Sequence, residues 1–249
     1  MSSDTPLFYK SVVPLDVNRH KALRISRPDR PLDFARTANV IPALVDEFEL
    51  ALAELPIAFL PGAKMPSAVF VTGAAPGTNA FISEDGLWKG AYVPAYLRRY
   101  PFIIGDVNEA ESILCIDEAY EGLGEEAGER LFSDTGSQEE PLAQALTLAQ
   151  SYRDAAAKTE TFCAMLHDYD LLQPATLDTT APDGSKSVVY GLLIINEDAL
   201  AALSGDQLQA LNEAGFLKAI YTQIASLRSV EKLNPAASAE EPAKGKKSA

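Results

Sequence analysis

Apolar residues in this chain come first in short runs and later in long helical spacings. YKSVVPL and KALRIS, within residues 9–26, read as two short strands around a polar DVNRH turn. In ANVIPALVDEFELALAEL (38–55) the spacing becomes helical: Val40, Leu44, Phe48 and Leu52 share a face, Pro42 suits a first turn, and Pro56 ends it. IAFL (57–60), SAVFVTG (67–73) and NAFIS (79–83) are bounded by Gly, Pro or Asn as strands are, and FIIGD (102–106) and SILCID (112–117) add two more. From Pro141 to about Tyr169, apolar residues such as Leu142, Leu146, Ala149, Tyr152, Phe162 and Leu166 keep helical spacing. That predicts a helix on the order of 40 Å long.

LLQPATLDT and SVVYGLLIIN flank an APDGS turn and predict a hairpin. Ser204 and Gln207 form a capping box, Gly215 marks a helix end, and FLKAIYTQIASLRSVEKL predicts a last amphipathic helix. The sequence shows no internal repeat. Strands, then a long helix, then a hairpin and helices predict an α+β fold: an antiparallel or mixed strand meander packed by a long central helix and C-terminal helices. Residues 1–233 are expected to form a single globular domain. Residues 234–249 lack large apolar side chains and are expected to be a disordered low-complexity tail.

Composition adds limits rather than a function. With 249 residues and 47% hydrophobic content, the chain has ample material for a core. No run approaches the roughly 18 apolar residues of a membrane span. The N-terminus lacks a basic start followed by an apolar run, so no cleavable secretory signal is expected and a cytoplasmic location is predicted. The net charge of −14 argues against a nucleic-acid partner. The charge is uneven: residues 106–140 carry twelve Asp/Glu against Arg130 alone, and residues 1–40 carry seven Lys/Arg against four Asp/Glu. The acidic stretch reads as a solvated loop with some helical turns, and the basic stretch could dock on it. Cys115 and Cys163 sit in apolar contexts and read as buried free thiols.

Several chemistries are suggested and then lose their context. VFVTGAAPGTN (69–79) resembles a dinucleotide loop, but Asn79 stands where a further glycine belongs and no helix pattern follows. Cys163 and His167 lie four apart on one helix, which by itself falls short of a zinc site. No Gly-x-Ser-x-Gly motif is present, and no cofactor is expected. Asp117 ends the apolar strand SILCID, as a strand-end cap, an ion-pair partner or an acid/base group would.

The most unusual segment is LWKGAYVPAYLRRYPF (87–102). It collects Trp88, Tyr92, Tyr96, Arg98, Arg99 and Phe102 in an acidic chain. Pro94 and Pro101 bracket about two helical turns, in which Tyr96 and Tyr100 share a face. One reading is an amphipathic corner whose rings complete the core while the arginines pair with the acidic loop. The other is a binding site for an anionic or planar ligand or a partner protein, since Trp, Tyr and Arg dominate such anchors. With Asp117, those six residues are the candidate site.

The strings NAFISEDGLWKGAYVPAYLRRYPF, ILCIDE, RLFSDTG, TETFCAMLHDYDLLQP and VVYGLLIINEDALAALSGDQLQALNEAGFLKAIYTQIASL together resemble the SapC family of bacterial proteins over roughly residues 8–233. Most specific is W-x-G-x-Y-V-P-x-x-x-R-x-Y-P-F. The resemblance implies a family named for a surface-layer-associated protein, with members found alongside halogenase-like proteins and TonB-dependent receptors. It implies no catalytic residues. The expectation is therefore an accessory or binding protein without evident catalysis, taking a small molecule or partner protein through 87–102. The alternatives are an enzyme without a visible signature, using Asp117, Arg98, Arg99 and Tyr96, or a surface-layer or envelope-associated structural protein.

Overall fold

The computed structural model describes residues 6–106, 108, 112–180 and 184–234. Beyond Asn234, the expected tail lies outside the described residues. In chain order come β1 (Val12–Pro14), a helical turn α1 (Val17–His20), β2 (Arg24–Ile25), β3 (Val40–Pro42), and a 3₁₀ turn (Val45–Glu47) running into α2 (Phe48–Ala51). The strands β4 (Ile57–Leu60) and β5 (Ser67–Val71) follow, then α3 (Ala95–Arg98), β6 (Phe102–Asp106), β7 (Ser112–Asp117), β8 (Leu123–Gly124) and β9 (Glu129–Arg130). The long helix α4 (Glu140–Asp168) leads to β10 (Leu172–Thr180), β11 (Lys186–Ile195), α5 (Glu197–Ala201), α6 (Gly205–Glu213), α7 (Leu217–Ser226) and a 3₁₀ stretch (Leu227–Leu233).

The fold is α+β. Strands group as β10-β11-β4-β5-β3, β1-β7-β6 and β8-β2-β9, and every pairing is antiparallel. The Ser204–Gln207 capping box is present, and Gly215, with φ of 75°, follows the end of α6.

Three expectations need correction. Residues 38–55 are not one helix: Val40–Pro42 is a strand, paired Val40 to Val71, Ile41 to Phe70 and Pro42 to Val69. Pro42 restricts Ile41 to extended backbone, and β3 lies at a sheet edge, where proline is tolerated. Residues 79–83 form no strand but one arm of a tight turn, bridged Ile82 to Trp88. The acidic stretch is more than a solvated loop. Its β8 and β9 flank β2, with Arg24 facing both Gly124 and Arg130, so the basic N-terminal part does dock on it. Arg24 Nη1 also donates to Gly128 O at 2.9 Å, and Arg19 pairs with Glu118 at 2.7 Å.

α4 ties the interior together. Its Leu142 and Ala149 belong to one buried cluster with Phe102, Leu114 and Ile116. Its Tyr152 belongs to a second with Tyr96 and Leu97, and its Phe162, Cys163 and Leu166 to the largest, around β4, β5 and α7. At 1.5 Å per residue, its 29 residues span about 44 Å.

The structure also holds a repeat the sequence hid. β1, β7 and β6 are arranged as β3, β5 and β4 are, in the same order and register. Val12-Val13-Pro14 faces Asp117-Ile116-Cys115 as Val40-Ile41-Pro42 faces Val71-Phe70-Val69. Phe102 faces Ile116 as Ile57 faces Phe70. Flanking bonds coincide: Asp117 N donates to Pro101 O at 3.0 Å, and Val71 N to Pro56 O at 2.9 Å. Glu118 N donates to Ser11 O at 2.9 Å, and Thr72 N to Asn39 O at 2.8 Å. A similar turn follows each unit. Ser83 N donates to Leu87 O at 2.8 Å and Ser133 N to Ser137 O at 2.9 Å, each serine hydroxyl accepts the N–H four residues on, and Gly86 and Gly136 take positive φ.

Candidate functional site

The 87–102 segment runs across all three buried clusters. Trp88 stacks on Phe81 at 5.2 Å, and Trp88 and Tyr92 pack against the largest cluster. Tyr96 is buried in the second cluster and Phe102 in the third. A Cβ at Gly90 would lie 2.5 Å from Glu54 Oε2 and 2.7 Å from Trp88 Nε1, so a larger residue there would have to displace the carboxylate that holds Ala91.

Glu47 and Glu54, both from the 38–55 stretch, hold this segment. Glu54 accepts from Ala91 N at 2.9 Å. Buried Glu47 accepts from Tyr92 Oη and Ala95 N, both at 2.6 Å, and from Leu44 N at 3.1 Å. Burial raises the Glu47 pKa, with these bonds opposing. Burial and the Glu47 contact raise Tyr92 to about 12. Arg98 reaches out of the fold, donating to Val93 O at 2.9 Å and Tyr92 Oη at 3.2 Å.

Arg99 turns inward. It is only 9% exposed, with its guanidinium carbon 3.9 Å from the Tyr152 ring centroid, 4.5 Å from Tyr96 and 5.8 Å from Tyr9. Among the described residues no carboxylate is within ion-pair distance, and Nε has no hydrogen-bond partner. Three phenol faces take the place of a counter-ion.

Asp117 is buried and acts as an anchor. Its carboxylate accepts from Ser11 N at 2.8 Å, Lys10 N at 2.9 Å, Ala119 N at 3.1 Å and Tyr100 Oη at 3.1 Å. Burial pushes its pKa up, but these bonds outweigh it and hold the carboxyl below its ordinary value. The anchored segment also sends Tyr9 Oη to Phe102 O at 2.7 Å and receives Tyr96 Oη at Leu7 O at 3.0 Å.

Beside this anchor opens a cleft of about 400 Å³, lined by Lys10, Arg30, Phe34, Tyr100, Tyr120 and Glu121 among others. The Phe34 and Tyr100 rings lie 4.4 Å apart, and Tyr120 stands nearly perpendicular to Tyr100 at 5.4 Å. The structure therefore divides the candidate residues. Trp88, Tyr92 and Arg98 meet near Glu47 and Glu54. Tyr96, Arg99 and Phe102 lie inside, and Asp117 sits under Tyr100. Tyr100 belongs to the 87–102 segment though not to the candidate residues, and Lys10, Phe34 and Tyr120 were missed because they converge on it from segments far apart in sequence.

Other sequence suggestions find ordinary explanations. At Gly73, a Cβ would meet Thr78 O at 2.0 Å, so the 71–78 loop closes on itself. Cys163 is buried and its thiol raised to about 11 by burial, while His167 is exposed. Among the described residues no group of three or more His, Cys, Asp or Glu is placed to hold a metal, and no helix is long and apolar enough to cross a membrane.

These features define an α+β protein with a repeated three-stranded unit and an aromatic cleft at one copy. The SapC family model matches residues 15–233, and the chain belongs to the SapC family. Comparison with curated proteins and with solved structures finds no match.

Proposed function

We propose that this SapC-family chain is an accessory binding protein without catalysis of its own, and that it takes a small molecule in the cleft where the 87–102 segment presents Tyr100. The observation that carries this is the contrast between the two units. Counting along the shared register, Lys10, Tyr100, Asp117 and Tyr120 stand where the other unit has Ala38, Leu55, Val71 and Ala74. The same backbone closes without a lysine or two phenols, so the framework does not demand those three side chains; Asp117, in contrast, serves as the anchor of its own unit. Exposure alone calls for polar side chains, not for three clustered rings. The volume falls in the usual range for ligand clefts, about 300–1,000 Å³. Asp117, with four hydrogen bonds and a lowered pKa, suits a positioning group better than a proton-transfer group.

The test is native mass spectrometry on protein gently isolated from its own cells. The expected result is a bound mass on the order of a few hundred daltons, as drug-sized pockets hold. It should vanish in Tyr120→Ala and Lys10→Ala, whose new side chains match Ala74 and Ala38 of the other unit, with the circular dichroism of both variants unchanged. A ligand retained by both folded variants overturns the reading. A cytoplasmic location belongs to the same proposal, and fractionation that finds the whole pool in the envelope would favour a surface-layer role.

A further inference from the structure

We infer that the cleft takes a planar anion, an aromatic ring carrying a carboxylate, an inference that rests on the cleft being a ligand site. The flat partner follows from the rings. Tyr100 and Tyr120 meet at 89°, with Phe34 tilted 40° against Tyr100. A flat ring can stack on one wall while the other meets it edge-on, the arrangement aromatic quadrupoles favour.

The sign of the charge follows from which groups nearby are already engaged. Asp33 is shared by two arginines, Arg30 at 3.1 Å and Arg36 at 2.5 Å, which leaves one positive charge over. Asp117 is occupied by three backbone N–H groups and the Tyr100 hydroxyl. Lys10 lines the cleft and Arg27 lines the groove continuing past Tyr120, and neither has a carboxylate within ion-pair distance among the described residues. Glu121 lines the cleft and Glu129 the groove beside Arg27, and neither has such a partner among them. Behind the wall, Arg99 lies 5.8 Å from the Tyr9 ring, which lies 5.1 Å from Tyr100. Lys10, Arg27 and the spare arginine charge thus outnumber Glu121 and Glu129, and behind the wall the charge that Asp117 keeps is set against that of Arg99, in a chain of net charge −14. Such a local field attracts anions and repels cations of the same shape.

Three probes of matched size separate the possibilities on the full chain by titration calorimetry: 2-naphthoate, 2-naphthylmethylammonium and decalin-2-carboxylate. The expected result is that naphthoate binds best. Lys10→Glu should weaken it about tenfold, the scale of losing one charge contact and gaining a repulsion. Tyr120→Ala should weaken it as well. If the ammonium probe binds as well or better and Tyr120→Ala weakens it, the cleft stands as a site and the anionic class is overturned. If decalin carboxylate matches naphthoate, planarity is overturned. If naphthoate binds but neither Tyr120→Ala nor Phe34→Ala alters it, the cleft itself is not the site. No binding of naphthoate at millimolar concentration also overturns the inference.

Discussion

Replacing Asp117 by alanine tests the anchor under Tyr100. The substitution removes an acceptor from Lys10 N, Ser11 N, Ala119 N and Tyr100 Oη, at 2.8–3.1 Å. Hydrogen bonds to a charged group contribute about 1.5–3 kcal/mol each, less where water can replace the acceptor. Lys10, Ser11 and Ala119 are exposed residues, so water can reach part of the vacated site. The expected loss is therefore about 3–4 kcal/mol, a large share of the roughly 5–15 kcal/mol typical of folded domains. Tyr100→Phe removes one of the four bonds and should cost about 1 kcal/mol. The pH dependence has a definite sign. Because the folded pKa of Asp117 lies below its ordinary value, its contribution is present above the unfolded value of about 3.9 and is lost as pH falls through the folded one. Asp117→Ala should therefore flatten the acid limb of the stability curve. Urea unfolding followed by far-ultraviolet circular dichroism, from pH 7 down to pH 3, measures both effects. A loss below about 1 kcal/mol, or no greater than that of Tyr100→Phe, would refute the anchor.

Two further substitutions probe other parts of the framework. The raised pKa of Glu47 makes its contribution largest below its unfolded value and diminishing as pH rises through the folded one, so the urea midpoint of Glu47→Gln relative to the parent should climb with pH; a constant difference would argue against it. Gly86→Ala should cost more than Gly136→Ala, by about 1 kcal/mol in urea unfolding. Both glycines have positive φ, but a Cβ at Gly86 would meet the Arg30 backbone at 2.8 Å, whereas at Gly136 it would meet only Val17 Cγ2 at 3.2 Å. Equal costs would show that φ alone decides.

Elements whose pattern is local were legible in the sequence. The spacing from Leu142 to Leu166 predicts α4, and the apolar runs at 57–60, 67–73, 102–106 and 112–117 predict β4 to β7. Val40 was drawn into a helix because its spacing to Leu44 and Phe48 is helical; the partner that makes it a strand, Val71, is distant in sequence. The repeat escaped notice for two reasons. One copy interleaves with the other, its first strand at Val12–Pro14 and its hairpin at Phe102–Asp117. What the copies share is backbone register, which tolerates Asp117 in place of Val71 because strand pairing uses main-chain groups. Asp117 stood out at its strand end, but Phe34 and Tyr120 carry no local signal. Their meaning arises only when residues 28–34, the turn after β7 and the N-terminal segment come together around Tyr100.

α4 makes the three buried clusters answer to one another. Leu142, Tyr152 and Phe162 each serve a different cluster from a single rod. Helical hydrogen bonds propagate cooperatively, so melting one end of that rod removes a wall from one cluster and weakens the footing of the next. Amide protons along its middle should consequently exchange with solvent mainly through large-scale opening rather than local fraying. The ring-lined cleft shares that footing, because Phe34 packs against the cluster that holds Tyr152, and Arg99, seated on Tyr152, reaches Tyr100 through Tyr9.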